Sequence, residues 1–313
     1  MIRTAVRRLL MAIPILVGVS IIVFLLMNVL PGDPAAAFLS DDSTPAARLA
    51  IRHTLGLDQP LPVRYVTWLG DALSGNLGYS PYRRREVSSL LQQAWGNTFI
   101  LAAVSAAFGL LAGVALGFVA GIRRGRPVDR VASFVSLSGL SIPSFFLAIV
   151  LLTVFAGRLK WFPSGGIDMG SLAGAVSHLV LPVLSASLVT LAITARVTRA
   201  AIVDISGADF VETLRAKGLS RSQTLRHIGK NALSPVLTTS GLQIGALLGG
   251  SVLVETIFRW PGMGLLVYNA ISSRDLLVVQ GATLVIALTF VVVNLIVDLV
   301  QAAIDPRMRG TAS

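Results

Sequence analysis

The chain has 313 residues, 54% of them hydrophobic and only 13% charged, with a net charge of +11 and no cysteine. A soluble surface needs roughly twice that share of interspersed charge, so a soluble enzyme, a disordered tail and a fibrous protein all fit poorly. The missing cysteines exclude a disulfide framework and thiolate metal sites, three scattered histidines offer no metal centre, and strong positive charge in so apolar a chain marks the cytoplasmic flank of a membrane.

Six charge-free runs predict an all-α integral membrane protein: Leu9–Gly32, Val87–Ile122, Val131–Gly157, Met169–Ala195, Asn231–Val254 and Leu276–Val297. The shortest, as a helix, is about 33 Å long and crosses a hydrocarbon core of roughly 30 Å. Backbone groups find no water in lipid, so each run must be helical. The expected order is a cytoplasmic start and first span within 1–30, an extracytoplasmic segment 31–97, and a five-helix core 98–313. That core divides into spans 98–122, 131–157, 176–198, 235–257 and 278–300, with a loop at 204–234. The second run exceeds one span, so Val87–Asn97 is expected as an amphipathic or interfacial lead-in. A cleaved signal peptide competes for the first run, but that run is long for one, and its removal leaves an odd number of spans.

Basic residues orient the helices. With the N-terminus inside, cytoplasmic segments hold sixteen of the 26 Lys and Arg, from Arg3, Arg7 and Arg8 to Arg307 and Arg309. The two short outer loops hold only Arg158, Lys160, Arg259 and Arg274. Long outer segments translocate largely regardless of charge, so both termini are expected in the cytoplasm.

The second helix carries Ser105, Gly109, Gly113, Gly117 and Gly121 at every fourth position, one face smooth enough for another backbone to approach. In the third and fourth helices, Pro143 and Pro182 are places for a kink or break, and Ser141 and Ser144 can satisfy carbonyls freed at the first. The fifth has two stripes: Gly241, Gly245 and Gly249 for packing, and Gln243, Leu247, Ser251 and Glu255 on another side. Polar groups in lipid are costly, so the second stripe is a candidate pathway lining; a bond from Gln243 to a neighbouring helix and an interfacial Glu255 are the plainer alternative. Near the end of the sixth helix, Asn294 and Asp298 lie one turn apart, where a cap or an ion pair is a better account than a proton relay.

The loop Asp204–Ser234 is too polar for a span. Ser206 or Asp209 can cap a helix running to Lys217; Gly218 then falls where a left-handed residue is wanted. Ser220 with Gln223 makes a capping box for a second short helix. Phe210, Leu214 and Leu219 form an apolar face, and Arg215, Lys217, Arg221 and Arg226 supply charge. A DNA-reading element can hardly track a groove while fixed between two spans, and a solvated loop leaves the apolar face unexplained. A docking helix for a cytoplasmic partner accounts for all three features.

Glu212-Thr213-Leu214, then Gly218 and Ile228, resembles the EAA loop of bacterial ABC importer permeases. Leu30-Pro31-Gly32-Asp33-Pro34, Leu55-Gly56-Leu57-Asp58-Gln59-Pro60-Leu61 and Ser74-Gly75-Asn76-Leu77-Gly78 resemble one branch, the dipeptide/oligopeptide and nickel permeases. So do Gly249-Gly250-Ser251-Val252-Leu253-Val254-Glu255-Thr256, Trp260-Pro261-Gly262-Met263-Gly264 and Arg274-Asp275. The similarity spans nearly the whole chain and is to the first of two permease subunits. Two places depart from the pattern: Thr213-Leu214 replace the loop's alanines, and Leu276-Leu277 stand where many relatives have Tyr-Pro.

The resemblance implies an assembly with a homologous second permease, two ATPase subunits and an extracytoplasmic binding lipoprotein, in the lipid bilayer and without nucleic acid. It implies that Asp209, Phe210, Glu212, Thr213, Leu214, Arg215, Ala216, Lys217, Gly218, Leu219, Ile228 and Asn231 form the ATPase-coupling loop. ATP and Mg would be bound by the ATPases, since this chain has no phosphate-binding G-x-x-x-x-G-K-[ST] and no catalytic pair. Tyr65, Trp68, Tyr79 and Tyr82 of the outer segment are candidates to meet the binding protein. Short peptides are the implied substrate, with nickel chelates, haem or glutathione as alternatives. A stand-alone channel or ion-driven carrier is the competing class, but no span has the several buried carboxylates expected of a proton-driven carrier.

Overall fold

A computed structural model describes residues 2–29, 39, 44–54 and 56–304. The chain is mostly helical and divides into two compact units.

One unit spans Val6–Thr98 and Pro261–Val291. It contains most of α1 (Ile2–Val29), α2 (Pro45–Thr54), α3 (Leu61–Leu73), a two-stranded hairpin β1 (Tyr79–Ser80) and β2 (Arg85–Glu86), and the start of α4 (Val87–Ile122). Pro62 suits the first turn of α3, where its missing N–H is no loss, and Gly75 leaves the helix at φ +87°. The hairpin pairs Tyr79 with Glu86 and Ser80 with Arg85. Val87, Leu90, Leu91 and Ala94 of α4 bury one stripe against Met263, Leu266 and Ala270 of α11 (Met263–Ser272) and Val278 and Ala282 of α12 (Leu276–Ile304). The expected lead-in Val87–Asn97 is therefore the first three turns of α4, with a buried face of its own. Leu277, at the departure from the family pattern, packs on this cluster and over Gly78. Buried Asp275 accepts a hydrogen bond from Ser80 Oγ, tying the hairpin to the start of α12.

The other unit is built on Phe99–Trp260 and includes α12 from Val292 onward. After α4 come α5 (Pro127–Ser141), α6 (Ser144–Leu151) running into a π-helical segment (Leu152–Arg158), and α7 (Leu172–Ser206). Then follow α8 (Asp209–Ala216), α9 (Arg221–Gly250) and α10 (Val252–Ile257). The expected third span, Val131–Gly157, falls on α5 and α6, which meet at 102°. Pro143 has no N–H to continue the ladder and holds Ile142 extended, at φ −85° and ψ 120°. Ser141 Oγ bonds Leu137 O at 3.1 Å within the last turn of α5, on the near side of the break. Pro182, by contrast, lies within an unbroken α7.

Among the described residues, Val87–Ile122, Leu172–Ser206 and Leu276–Val297 are long and apolar enough to cross a membrane, and the bent pair α5–α6 makes a fourth if it is one span. The other two expected spans fall on α1 and α9.

The glycine face of α4 lies against α7. A methyl group added at Gly109 would lie 3.1 Å from Thr190 Cβ, and one at Gly113 2.8 Å from Leu191 O. At Gly117 it would collide with the backbone oxygen of Ala195, and at Gly121 it would meet Ile202 at 2.6 Å. Close approach requires glycine at 113, 117 and 121 for lack of room and leaves position 109 merely tight.

Candidate functional site

The end of α7, α8 and the start of α9 form one cluster. Val211 of α8 is fully buried among Ala201 and Ile202 of α7 and Ile228 and Ala232 of α9, with Phe118 and Ile122 of α4 packed alongside. Asp209, Phe210, Glu212, Thr213, Arg215, Ala216 and Lys217 are exposed, and Leu214 and Leu219 are half-buried. The short helix is thus held from beneath while its outer face is open. Its anchor, Val211, is not among the apolar residues expected from the sequence; Phe210, one position away, points outward instead. Ile228 is buried, and exposed Asn231 bonds His227 O at 3.0 Å.

The helix ends as the glycine predicts. Gly218 lies at φ +77°, its N–H bonds Arg215 O at 2.9 Å, and the N–H of Leu219 reaches Leu214 O at 3.2 Å. This is a Schellman turn, which only glycine enters freely. Ser220 and Gln223 form the reciprocal capping box. Two details differ from expectation. The N-cap of α8 is Ala208, without a side-chain cap, because Ser206 Oγ bonds back to Ile202 O at 2.6 Å and extends α7. The second helix is not short, since α9 continues from the capping box to Gly250. The loop therefore leads directly into a helix of 30 residues.

An ion pair braces the same end of α7. Asp129, in the first turn of α5, accepts from Arg199 Nε at 2.5 Å and Nη2 at 2.9 Å, and from the N–H of Gly125 at 2.9 Å. Asp129 is buried and Arg199 half-buried, so the bidentate bond is partly sheltered from water. Arg199 lies one turn before Ile202, which packs on Val211 of α8. The pair joins residues 70 apart in sequence, and the one hint in the sequence is a lone acid among the arginines of the α4–α5 turn.

The fifth-span stripes are arranged differently from a continuous helix. The rod breaks at Ser251, between α9 and α10. Leu247, Ser251 and Glu255 are buried within the chain, and Ser251 Oγ donates to Glu255 Oε1 at 3.1 Å. Gln243 is half-buried. On the packing stripe, Gly241 and Gly245 are buried, and a methyl group at Gly245 would lie 3.0 Å from Asn294 Oδ1 of α12. The surroundings of Gly249 lie outside the described residues.

The four outer aromatics separate into two pairs. Tyr65 and Trp68 of α3 stack on Phe24 of α1 at 5.4 and 5.7 Å, and Tyr65 Oη lies 2.8 Å from Ser20 Oγ. Tyr79 and Tyr82, on the hairpin and its turn, are exposed.

Long apolar helices carry a short helix clamped on their ends, its outer face open. Residues 113–310 match the family described as "Binding-protein-dependent transport system inner membrane component", and residues 1–102 match its N-terminal companion. A peptide permease protein of Brucella suis biovar 1 is 40% identical over 99% of this chain and its own whole length. The glutathione transport system permease protein GsiC of Escherichia coli K12 is 38% identical over 99% of both chains. The fold is similar to a MetNI methionine ABC transporter chain, with TM-score 0.55, 19% identity and coverage of 69% of this chain and 96% of that one. An amino acid ABC transporter chain gives 0.51, 17%, 70% and 94%.

The chain belongs to the binding-protein-dependent transport system inner membrane components: it is an ABC importer permease subunit of the peptide/oligopeptide family. Members are multi-pass proteins of the bacterial cytoplasmic membrane and are not themselves enzymes.

Proposed function

We propose that this chain forms half of the translocation pathway of an ATP-driven importer of di- and oligopeptides, driven through α8 by a separate ATPase. Its partners are a homologous second permease, two ATPase subunits that bind ATP and Mg, and an extracytoplasmic binding lipoprotein. Both termini are cytoplasmic, six helices cross the bilayer, and the α8 loop faces the ATPases. The arrangement of α8 carries this reading: one residue, Val211, is wholly buried in the core while both charged ends and Phe210 are offered outward. Such a helix can seat in a partner's groove and pass that partner's motion to α7 and α9 as a rigid body. Of the polar stripe on the fifth span, Gln243 has open surface and is assigned to the pathway, and exposed Tyr79 and Tyr82 are assigned to the binding protein.

Peptide is preferred as cargo because the Brucella relative is named a peptide permease. The GsiC relative favours a second reading, glutathione, which is itself a tripeptide. Competition decides between them. In vesicles holding the whole assembly, labelled di- or tripeptide uptake should need ATP and be displaced by unlabelled α-linked peptides, with glutathione displacing little. Uptake of glutathione, nickel chelate or haem with no peptide competition would overturn the peptide assignment.

A further inference from the structure

We infer that α3 is an interfacial helix seated in the outer leaflet, its exposed apolar face in contact with lipid instead of a protein partner. Three observations combine. Val63, Val66 and Leu73 are 48%, 68% and 82% exposed, and at 100° per residue they fall within about 80° of one another. Thr67, Asp71 and Arg64 occupy the adjoining arc, and Tyr65 and Trp68 the arc that packs on α1. The helix therefore has a packed side, an apolar side and a polar edge, the three-part pattern of a helix lying in a membrane interface.

Depth supplies the second observation. Tyr65 meets Ser20, and both aromatics stack on Phe24. Along α1, Ser20 is about 18 Å and Phe24 about 24 Å beyond Arg8 at 1.5 Å per residue. A hydrocarbon core of about 30 Å starting at Arg8 has not ended at that height. A helix docked there has acyl chains beside it, and its Tyr and Trp reach roughly 6–12 Å beneath the outer edge of that core, close to the depth at which an interfacial helix buries its face.

The third observation is the helix on which α3 packs. Ile21, Ile22 and Leu25 of α1 are themselves exposed apolar residues, so at this height α1 already presents a surface that requires lipid. Arg64, held 5.9 Å above the Phe24 ring, can direct its charge to headgroups from the polar edge.

This inference rests on the inward N-terminus of the proposed topology. The cysteine-free chain allows a direct test in the whole assembly, reconstituted in phosphatidylcholine–phosphatidylglycerol liposomes. Val66→Cys and Asp71→Cys, each carrying a polarity-sensitive fluorophore, are compared with and without phospholipids brominated on the acyl chains. Val66 should be quenched several-fold more strongly than Asp71. Equally weak quenching at both positions overturns the inference, and shielding of the Val66 label by added binding protein would show that protein to be the occupant. An impermeant thiol reagent that reaches Asp71→Cys in cells only from the cytoplasm would overturn the topology and, with it, the depth argument.

Discussion

Glu212→Arg is expected to leave the subunit in the membrane at normal abundance and to cut ATP-driven uptake severely, if α8 is the docking helix proposed above. Glu212 is exposed in the first turn of α8 and makes no contribution to the Val211 cluster that holds the helix in place. Reversing its charge therefore spares folding and alters only what a partner meets. Loss of a central interface contact costs about 2 kcal/mol or more, equivalent to roughly thirtyfold in affinity. Gly218→Trp acts at the same surface by bulk. A side chain there enters open space within this chain, so the internal cost is the left-handed backbone, about 1–2 kcal/mol, while the indole blocks the partner's approach. Each variant should show near-normal membrane levels, ATPase activity no longer stimulated by loaded binding protein, and uptake reduced about thirtyfold or more. Unchanged uptake by both would remove the docking role of α8.

Gly117→Leu has the opposite signature: the protein itself fails. The α4–α7 contact at this position is backbone against backbone, since even a methyl group would overlap Ala195 O. A leucine must push the helices apart along the seam from Gly109 to Gly121, at a cost of roughly 3 kcal/mol from overpacking alone. In membranes little hydrophobic force opposes such separation, because lipid tails solvate the parted faces as well as leucine does. Folded protein recovered by size exclusion in mild detergent should drop sharply, whereas Gly109→Ala, facing Thr190 Cβ at 3.1 Å, should be tolerated with a small loss of thermal stability. Equal yields and melting temperatures for Gly117→Leu and the unaltered chain would refute this packing.

These two sites differ in how much the sequence reveals. The four-residue spacing of small side chains on α4 is a local pattern, and it names the face that meets α7. Gly218 and the Ser220–Gln223 box are equally local, because a left-handed turn and a reciprocal cap depend on neighbours in sequence. The anchor of α8 is a different matter. Choosing Val211 over Phe210 depends on where α7 ends and α9 begins, and α7 runs on through Ser206 because that hydroxyl bonds its own helix. The inward stacking of Tyr65 and Trp68 depends on Phe24, some 40 residues earlier, and the Asp129–Arg199 brace joins residues 70 apart. A polar stripe drawn through Gln243 and Glu255 assumes one unbroken helix, and the break at Ser251 removes that assumption. Periodicity identifies faces within an element; it carries no information about which distant element covers them.

The account depends most on α8 being the point at which a separate ATPase grips this subunit from the cytoplasm. Thr213 is exposed on that helix, its hydroxyl engaged only with Asp209 O at 3.2 Å, so Thr213→Cys is a mild change in a chain with no other thiol. In inside-out vesicles bearing the assembly, a short bifunctional reagent at this cysteine should cross-link to the ATPase, and an impermeant label should react only after the ATPase is stripped away. Free labelling in the intact assembly with no cross-link, or labelling from the outer side of whole cells, would contradict it.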